Sequence, residues 1–425
     1  MEFLRSHQEL IIMALIVQKY GGTSVGSIER IKNVARRIIA TKRQGNQVIA
    51  VLSAMAGETD RLLKLAEQLE VNPEKINERE MDVLVSTGEQ VSIALMSMAI
   101  ETMGEKACSF LGHQIQILTD DAYTQARIER IDPERIHKAL SDGYIVVIAG
   151  FQGIDKEGNI TTLGRGGSDT SAVAIATSMK ADLCEIYTDV DGIYTTDPNI
   201  CHQARKLAKI SYDEMLELAS QGAKVLQLRS VEFAKKYGIP LHVRSSFSDD
   251  EGTIVCQEDK SMEKAVVSGV ASNKNEAKIT IHGIPDHPGI AATIFSSIAD
   301  RGIVVDMIIQ NISEEGLTDL TFTVPKDNYQ HSISIISDIC RQIGGNSVLG
   351  DKKIAKVSIV GIGMRTHANV ASRMFSALAR ENINIMMIST SEIKVSCVIA
   401  EKYTELAVRV LHDEFQLEKE LGIEE

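Results

Sequence analysis

The chain has 425 residues and carries 45 Lys+Arg against 58 Asp+Glu, a net charge of −13. At about 100–200 residues per domain, that length holds roughly two to four domains with sizeable buried cores. The acidic balance repels phosphate backbones, Trp is absent and aromatic residues make up only 4%, so nucleic acid is excluded as the main partner.

The longest early apolar run, Leu10–Val17, is too short for a membrane span, which needs about 20 residues. Glu2 and Glu9 spoil it as a signal peptide. No other segment reads as membrane-spanning, so no membrane partner is expected. Met13 reads as the natural start and residues 1–12 as an extension. Cysteines 108, 184, 201, 256, 340 and 397 are scattered and form no C-x-x-C pair. They read as reduced thiols of a cytoplasmic protein. No His or Cys pair has metal-ligand spacing, so no protein-held metal is expected.

In chain order, the apolar pattern predicts a strand at Leu15–Lys19, a helix at Ser27–Gln44 and a strand at Gln47–Leu52. Helices follow at Asp60–Glu70 and, as one long apolar run, Glu80–Met103. A strand at Gln114–Leu118, a helix at Pro133–Ser141 and a strand at Ile145–Ala149 come next. Asp155–Asn159 reads as a turn and Asp189–Pro198 as a hairpin excursion. Ser168–Met179 is a helix, Leu183–Thr188 a strand, Tyr212–Leu218 and Lys224–Lys236 helices, and Leu241–Arg244 a strand. Strands spaced by helices indicate an α/β fold around a mostly parallel sheet. This first domain runs from 13 to 256, with a polar linker at 257–264.

Beyond the linker a repeat emerges. Ala277–Ile284 matches Ala355–Ile362, 78 positions on, and Phe295, Ala299, Ile303 and Met307 match residues 80 positions on. Each unit reads as a ferredoxin-like βαββαβ module, one over 265–350 and one over 351–425. The first closes itself with Ser347–Leu349 as its fourth strand. The second has no strand after its last helix, Tyr403–Phe415. The spare strand Val266–Val270 is expected to complete it, so that the first module is inserted in the second.

Several segments could carry chemistry. Lys19-Tyr20-Gly21-Gly22 ends the first strand. Its glycines let backbone N–H groups approach an anion, and Lys19 adds charge. A phosphate cradle and a structural turn are both open. Gly164-Arg165-Gly166-Gly167-Ser168-Asp169 opens a helix. A capped helix start explains Ser168 and Asp169 but not the Arg165 fork between glycines, which suits a carboxylate or phosphate. Glu89 could hold an amine or be a solvated acid. Asp189 and Asp191 could bind ribose, phosphate or Mg²⁺ through waters, or form a plain turn. Lys224 reads as a second phosphate lysine or an exposed helix lysine, and Ser53 as a helix cap or substrate contact. Asp286–Ala291, between strand and helix of the first module, could bind a small carboxylate.

Taken in order, Lys19–Ser24, Ser53–Gly57, Ser86–Glu89, Ala149–Gly153, Thr162–Thr170, Tyr187–Gly192 and Ile388–Ile393 resemble the motifs of the aspartokinases, members of the amino-acid kinase family with tandem ACT modules. The resemblance spans Met13 to about Phe415. It implies an amino-acid-kinase-type αβα sandwich followed by two ACT modules. It also implies transfer of a phosphoryl group from MgATP to the side-chain carboxylate of L-aspartate, on the way to lysine, threonine and methionine. By resemblance, Lys19, Asp169 and Lys224 would be catalytic. Ser53, Thr59, Glu89, Arg165, Gly166, Gly167 and Ser168 would hold the substrate. Lys19, Tyr20, Gly21, Gly22, Thr188, Asp189, Tyr194 and Lys224 would hold the nucleotide. Lysine, threonine or both would bind at Asp286, His287, Pro288, Gly289, Ile290, Ala291, Val304, Val305, Asp306, Gln310 and Asn311, with Asn382 and Thr390 contributing from the second module. The resemblance further implies a homo-oligomer joined through the ACT modules, or a heterotetramer with a regulatory subunit started at Met262. Rival readings are a kinase acting on glutamate, acetylglutamate, carbamate or UMP, and a non-catalytic amino-acid sensor. Glu89 and the tandem modules disfavour the former, and the retained Lys19, Arg165, Asp169 and Lys224 disfavour the latter.

Overall fold

The computed structural model describes residues 13–69, 77–222, 225–259, 266–312, 316–367 and 369–419. Residues 1–12, Lys224 and Met262 lie outside them. Two compact units are formed. The first takes the chain up to Ile193, Lys206–Leu216 and residues 225–258; the second takes Tyr194–Arg205, residues 217–222 and the described residues beyond 258.

The first unit opens with β1 (Leu15–Tyr20), α1 (Ile28–Arg43), β2 (Gln47–Leu52), α2 (Glu58–Glu67), α3 (Glu78–Val85) and α4 (Thr87–Thr102). It continues through β3 (Ala107–Phe110), β4 (Leu118–Thr119), β5 (Ile128–Arg130), α5 (Glu134–Ser141), β6 (Ile145–Ala149), β7 (Gln152–Ile154), β8 (Ile160–Thr162) and α6 (Gly167–Met179). It closes with β9 (Leu183–Thr188), β10 (Lys209–Ser211), α7 (Tyr212–Ser220), α8 (Leu228–Tyr237), β11 (Leu241–Ser245) and β12 (Thr253–Cys256). Eight strands form one sheet in the order β10-β12-β11-β9-β1-β2-β6-β3. Its pairs are parallel except β11 with β12. The central strands are apolar runs, and all five residues of β6 are buried, as a sheet covered on both faces requires.

On one face, α1 presents Ile31, Val34, Ala35, Ile38 and Ile39 at helical spacing to Ile93, Met96 and Ile100 of α4. Fully buried Ile or Met side chains of this kind contribute about 1.5–3 kcal/mol each. The stretch Glu78–Thr102 is long and apolar enough by composition to cross a membrane. Here its apolar residues pack on the sheet. On the other face lies α6, whose small buried residues, among them Ala172, Ala174 and Ala176, let it sit close to β1 and β9. A separate small sheet has the order β5-β4-β7-β8.

Three expectations for this unit are corrected. The long helix at Glu80–Met103 is two helices that break at Ser86, whose hydroxyl turns back to the Val83 carbonyl and whose own carbonyl accepts from Gln152 Nε2 at 3.0 Å. The strand at Gln114–Leu118 is mostly a tight turn over Gly112–Ile115. There the Gln114 side chain accepts from Leu111 N, and Gly112 lies so close to the Gln152 carbonyl that a Cβ would come within 2.8 Å. The helix expected from Lys224 begins at Leu228, because Gln227 caps it by accepting from Leu228 N.

The second unit holds β13 (Gly269–Asn273), β14 (Glu276–Pro285), α9 (Ile290–Ala299), β15 (Ile308–Ile312), β16 (Leu317–Pro325), α10 (Tyr329–Ile343) and β17 (Ser347–Asp351). After these come β18 (Ile354–Val360), α11 (Val370–Arg380), β19 (Met387–Thr390), β20 (Lys394–Ala400) and α12 (Thr404–Glu414). The strand orders β15-β16-β14-β17 and β13-β18-β20-β19 are the same ferredoxin-like order twice. In the second sheet the place of the closing strand is taken by β13, antiparallel to β18. The repeat also shows in the packing. Met307 and Met387, 80 positions apart, meet in one cluster with Ile354 and Val398.

Two segments that precede residue 256 belong to this unit. The carbonyl of Thr195 accepts from Val270 N at 2.7 Å, and its hydroxyl meets His412 Nε2 at 3.0 Å. Ser358 donates to the Gln221 side chain at 3.0 Å, and Lys394 pairs with Glu217 at 2.7 Å.

A buried charge cluster ties the two modules together. Lys356 of β18 is 3% exposed, lies 3.4 Å from Glu276 and also pairs with Asp306. Burial holds the Glu276 carboxyl above its usual range, against the pull of Lys356. Lys356→Met strands a buried carboxylate, so a loss of about 3–5 kcal/mol is expected by urea denaturation at pH 7. Since a raised carboxyl pKa costs stability only where the group ionises, the loss shrinks as pH falls towards 5.

Candidate active site

Parallel strands of a twisted α/β sheet gather ligands at their carboxyl ends. Here the ends of β1, β2 and β6 meet the start of α6 around a cavity of 310 Å³. It is lined by Lys19, Gly22, Ser53–Gly57, Thr59, Glu89, Phe151 and Gly164–Asp169.

Strand alternation aims the first of these. Along β1, Tyr20 turns into the core and stacks on Tyr187, with ring centroids 4.7 Å apart and planes 8° apart. Lys19 therefore points to the other face, where the first turn of α6 supplies Asp169. The pair is 2.5 Å apart, and both side chains are 11% exposed. Because the Tyr20 ring is fully buried, only its backbone can serve a ligand. Gly22 lies against the end of β2, and a Cβ there would stand 2.8 Å from the Ala54 carbonyl oxygen. Gly22→Val is expected to force β1 and β2 apart at the cavity, costing about 1–3 kcal/mol of stability and most of the activity. Thermal melting beside a turnover assay checks both.

Glu89 enters from the first turn of α4, where Gly88 fits closely against the Ala54 methyl. Its Oε1 accepts from Ala54 N at 3.0 Å, while Oε2 is buried with no hydrogen-bond partner among the described residues. Burial pushes its carboxyl up to about 7, only partly offset by the Ala54 N–H. A buried acceptor facing a cavity without a donor asks for a cationic one from a ligand.

The loop before α6 supplies the opposite chemistry. Gly164 and Gly166 have φ of +75° and +73°, which side chains rarely adopt. Between them Arg165 is exposed at the lip of the cavity and makes no ion pair among the described residues. Ser168 and Asp169 sit in the first turn of the thirteen-residue α6, whose amino end favours anions.

The cavity thus unites ten of the expected residues: Lys19, Gly22, Ser53, Thr59, Glu89, Arg165, Gly166, Gly167, Ser168 and Asp169. Gly21 donates to the Tyr187 carbonyl at 3.3 Å, which puts it beside the end of β9, where Thr188 and Asp189 follow; none of the three lines the cavity. Tyr194 belongs to the second unit and does not line it either. Phe151 does, with a φ of +69° held by the Ser171 hydroxyl and Leu163 N–H. Nothing in its residue type announces that role.

In the second unit, Asp286, His287, Pro288, Gly289, Ile290 and Ala291 form the turn into α9, exposed except for half-buried Ile290. Val304, Val305 and Asp306 precede the edge strand β15, which carries Gln310 and Asn311. Asn382 takes a φ of +54°, matching Gly302 at +69° in the repeat, and Thr390 ends β19.

The family described as the amino acid kinase family matches residues 14–245, and the ACT domain matches 279–338 and 357–415. The aspartate kinase Ask_LysC of Stutzerimonas stutzeri is 55% identical over 411 residues, covering 96% of this chain and 99% of its own. The crystal structure of E. coli aspartokinase III with aspartate and ADP superposes with a TM-score of 0.78 at 25% identity, over 94% of this chain and 99% of that one. The same enzyme with lysine and aspartate gives 0.75 at 25% identity, over the same shares. With identity at this level along nearly its whole length, the chain belongs to the aspartokinases, and it carries the amino acid kinase family and ACT domain matches together.

Proposed function

We propose that the chain transfers the γ-phosphoryl group of ATP to the side-chain carboxylate of L-aspartate, giving 4-phospho-L-aspartate. One observation carries this reading. A single cavity holds a buried carboxylate oxygen of Glu89, without a hydrogen-bond partner among the described residues, together with the cations Lys19 and Arg165. That polarity suits a substrate with one ammonium and two carboxylates beside a phosphate. Glu89 takes the ammonium, and Arg165 with Ser168 takes the carboxylates, with Ser53 and Thr59 at the wall. Lys19, fixed by Asp169, neutralises charge on the transferring group, and Gly21 and Gly22 let the backbone come close to it. Lys224 stabilises the leaving phosphate, with Thr188, Asp189 and Tyr194 along the nucleotide. The attacking carboxylate is already ionised, so positioning and charge neutralisation suffice. No group of three or more metal-ligating side chains occurs among the described residues. Mg²⁺ fits as an ion carried on the nucleotide's phosphates, where it supplies further charge neutralisation.

The ACT modules act as a sensor for lysine, threonine or both, around Asp286–Ala291, Gln310 and Asn311. This supports a first step of lysine, threonine and methionine synthesis in the cytoplasm, by a homo-oligomer or an assembly with a separate regulatory subunit. Titrating lysine and threonine, singly and together, into an ADP-release assay tests the regulatory half. Inhibition by either is expected; turnover indifferent to both removes the effector assignment.

A further inference from the structure

Arg165 has a long side chain at the lip of the cavity and no ion pair among the described residues to orient it. An arginine so placed keeps most of its rotamer freedom, so its aim depends on the backbone that carries it. That backbone is held from behind by the start of α8. Gln227 Nε2 donates to the Arg165 carbonyl at 2.8 Å, and its Oε1 accepts from Leu228 N at 3.1 Å. Arg229 donates from Nη1 to the Leu163 carbonyl at 2.9 Å and from Nη2 to the Ala126 carbonyl at 3.1 Å. The carbonyls on both sides of Gly164 are therefore fixed by one helix turn. The fit is close enough that a Cβ on Gly166 would stand 2.0 Å from Gln227 Cγ.

We infer that Gln227 and Arg229 are positioning residues that aim the Arg165 loop and thereby set the affinity for the acceptor's carboxylate. This rests on the proposed role of Arg165 in gripping aspartate. Neither residue lines the cavity. Their effect passes through Arg165, which distinguishes them from groups that touch substrate.

The test uses the full chain and steady-state kinetics with aspartate and ATP varied separately. Gln227→Glu keeps the acceptor for Leu228 N, preserving the helix cap, but loses the donor and sets a carboxylate oxygen against the Arg165 carbonyl. KM for aspartate is expected to rise about 10-fold to 100-fold, the scale of a small misplacement. KM for ATP and kcat should stay within about two-fold of the parent. Arg229→Lys, which cannot bridge both carbonyls, should act in the same direction and serves if the first variant does not fold. On an Arg165→Ala background each change should add nothing, because residues acting through one group are not additive. If Arg165→Ala raises KM for aspartate while both positioning variants leave it unchanged, or if their effects multiply with it, the inference is wrong and the role of Arg165 stands. If Arg165→Ala itself leaves KM at the parent value, the grip assigned to Arg165 is wrong and this inference goes with it.

Discussion

Lys19→Ala is expected to lower kcat by about 10²–10³-fold, the usual loss when one preorganised charge is removed from a developing anion. KM for aspartate should change little, since the proposed grip on aspartate rests on Glu89 and Arg165. The variant also leaves Asp169 without its cation in a site where both side chains are 11% exposed. That costs stability, by as much as about 3 kcal/mol. A double change, Lys19→Met with Asp169→Asn, removes the stranded charge along with the lysine. It should recover the melting temperature without recovering turnover. If the double variant regained activity together with stability, Lys19 would be only a structural partner of Asp169.

Glu89→Gln should raise KM for aspartate by two orders of magnitude or more, because the lost partner is a charge in a buried site, where unpaired groups are costly (about 3 kcal/mol or more). The same carboxyl makes a pH prediction. Its pKa is pushed from 4.5 to about 7 by burial, and only the ionised form holds an ammonium. KM for aspartate should therefore rise about tenfold between pH 8 and pH 6 in the parent. In Glu89→Gln that dependence should vanish. Stability moves the other way. A carboxyl whose folded pKa is raised costs nothing below its unfolded value and its full penalty above the folded one. The parent should thus lose about 3 kcal/mol relative to Glu89→Gln as pH rises from 4.5 to 7. A variant that binds aspartate poorly yet melts no lower than the parent at pH 8 is the expected signature. A Glu89→Gln enzyme with the parent's KM would remove Glu89 from the ammonium site.

Much of this site is legible in the chain because its parts are local. A lysine at the end of an apolar strand, paired glycines before a helix and an arginine between glycines each announce their backbone and charge. What is not legible depends on distant partners. The break at Ser86 falls inside a continuous apolar run and is anchored by Gln152. Strands β7 and β8 have three residues each, too few to show a period. Phe151 adopts a left-handed backbone that its residue type does not suggest. Gln227 and Arg229 read as ordinary helix-start residues until the carbonyls of the Arg165 loop are placed beside them. Lys356 reads as a polar residue on a strand, and only the fold shows it buried between Glu276 and Asp306. A repeat lacking one strand must find it elsewhere, and β13 pairs with β18 at Gly269–Asn273, shifted three residues from the expected Val266–Val270.

The central claim is the chemical step, and an acyl phosphate can be trapped. Incubating the full chain with MgATP, L-aspartate and hydroxylamine should yield ADP and the side-chain hydroxamate of aspartate in equal amounts, with none formed from glutamate. Absence of the aspartyl hydroxamate, or its formation from glutamate in place of aspartate, would contradict the account.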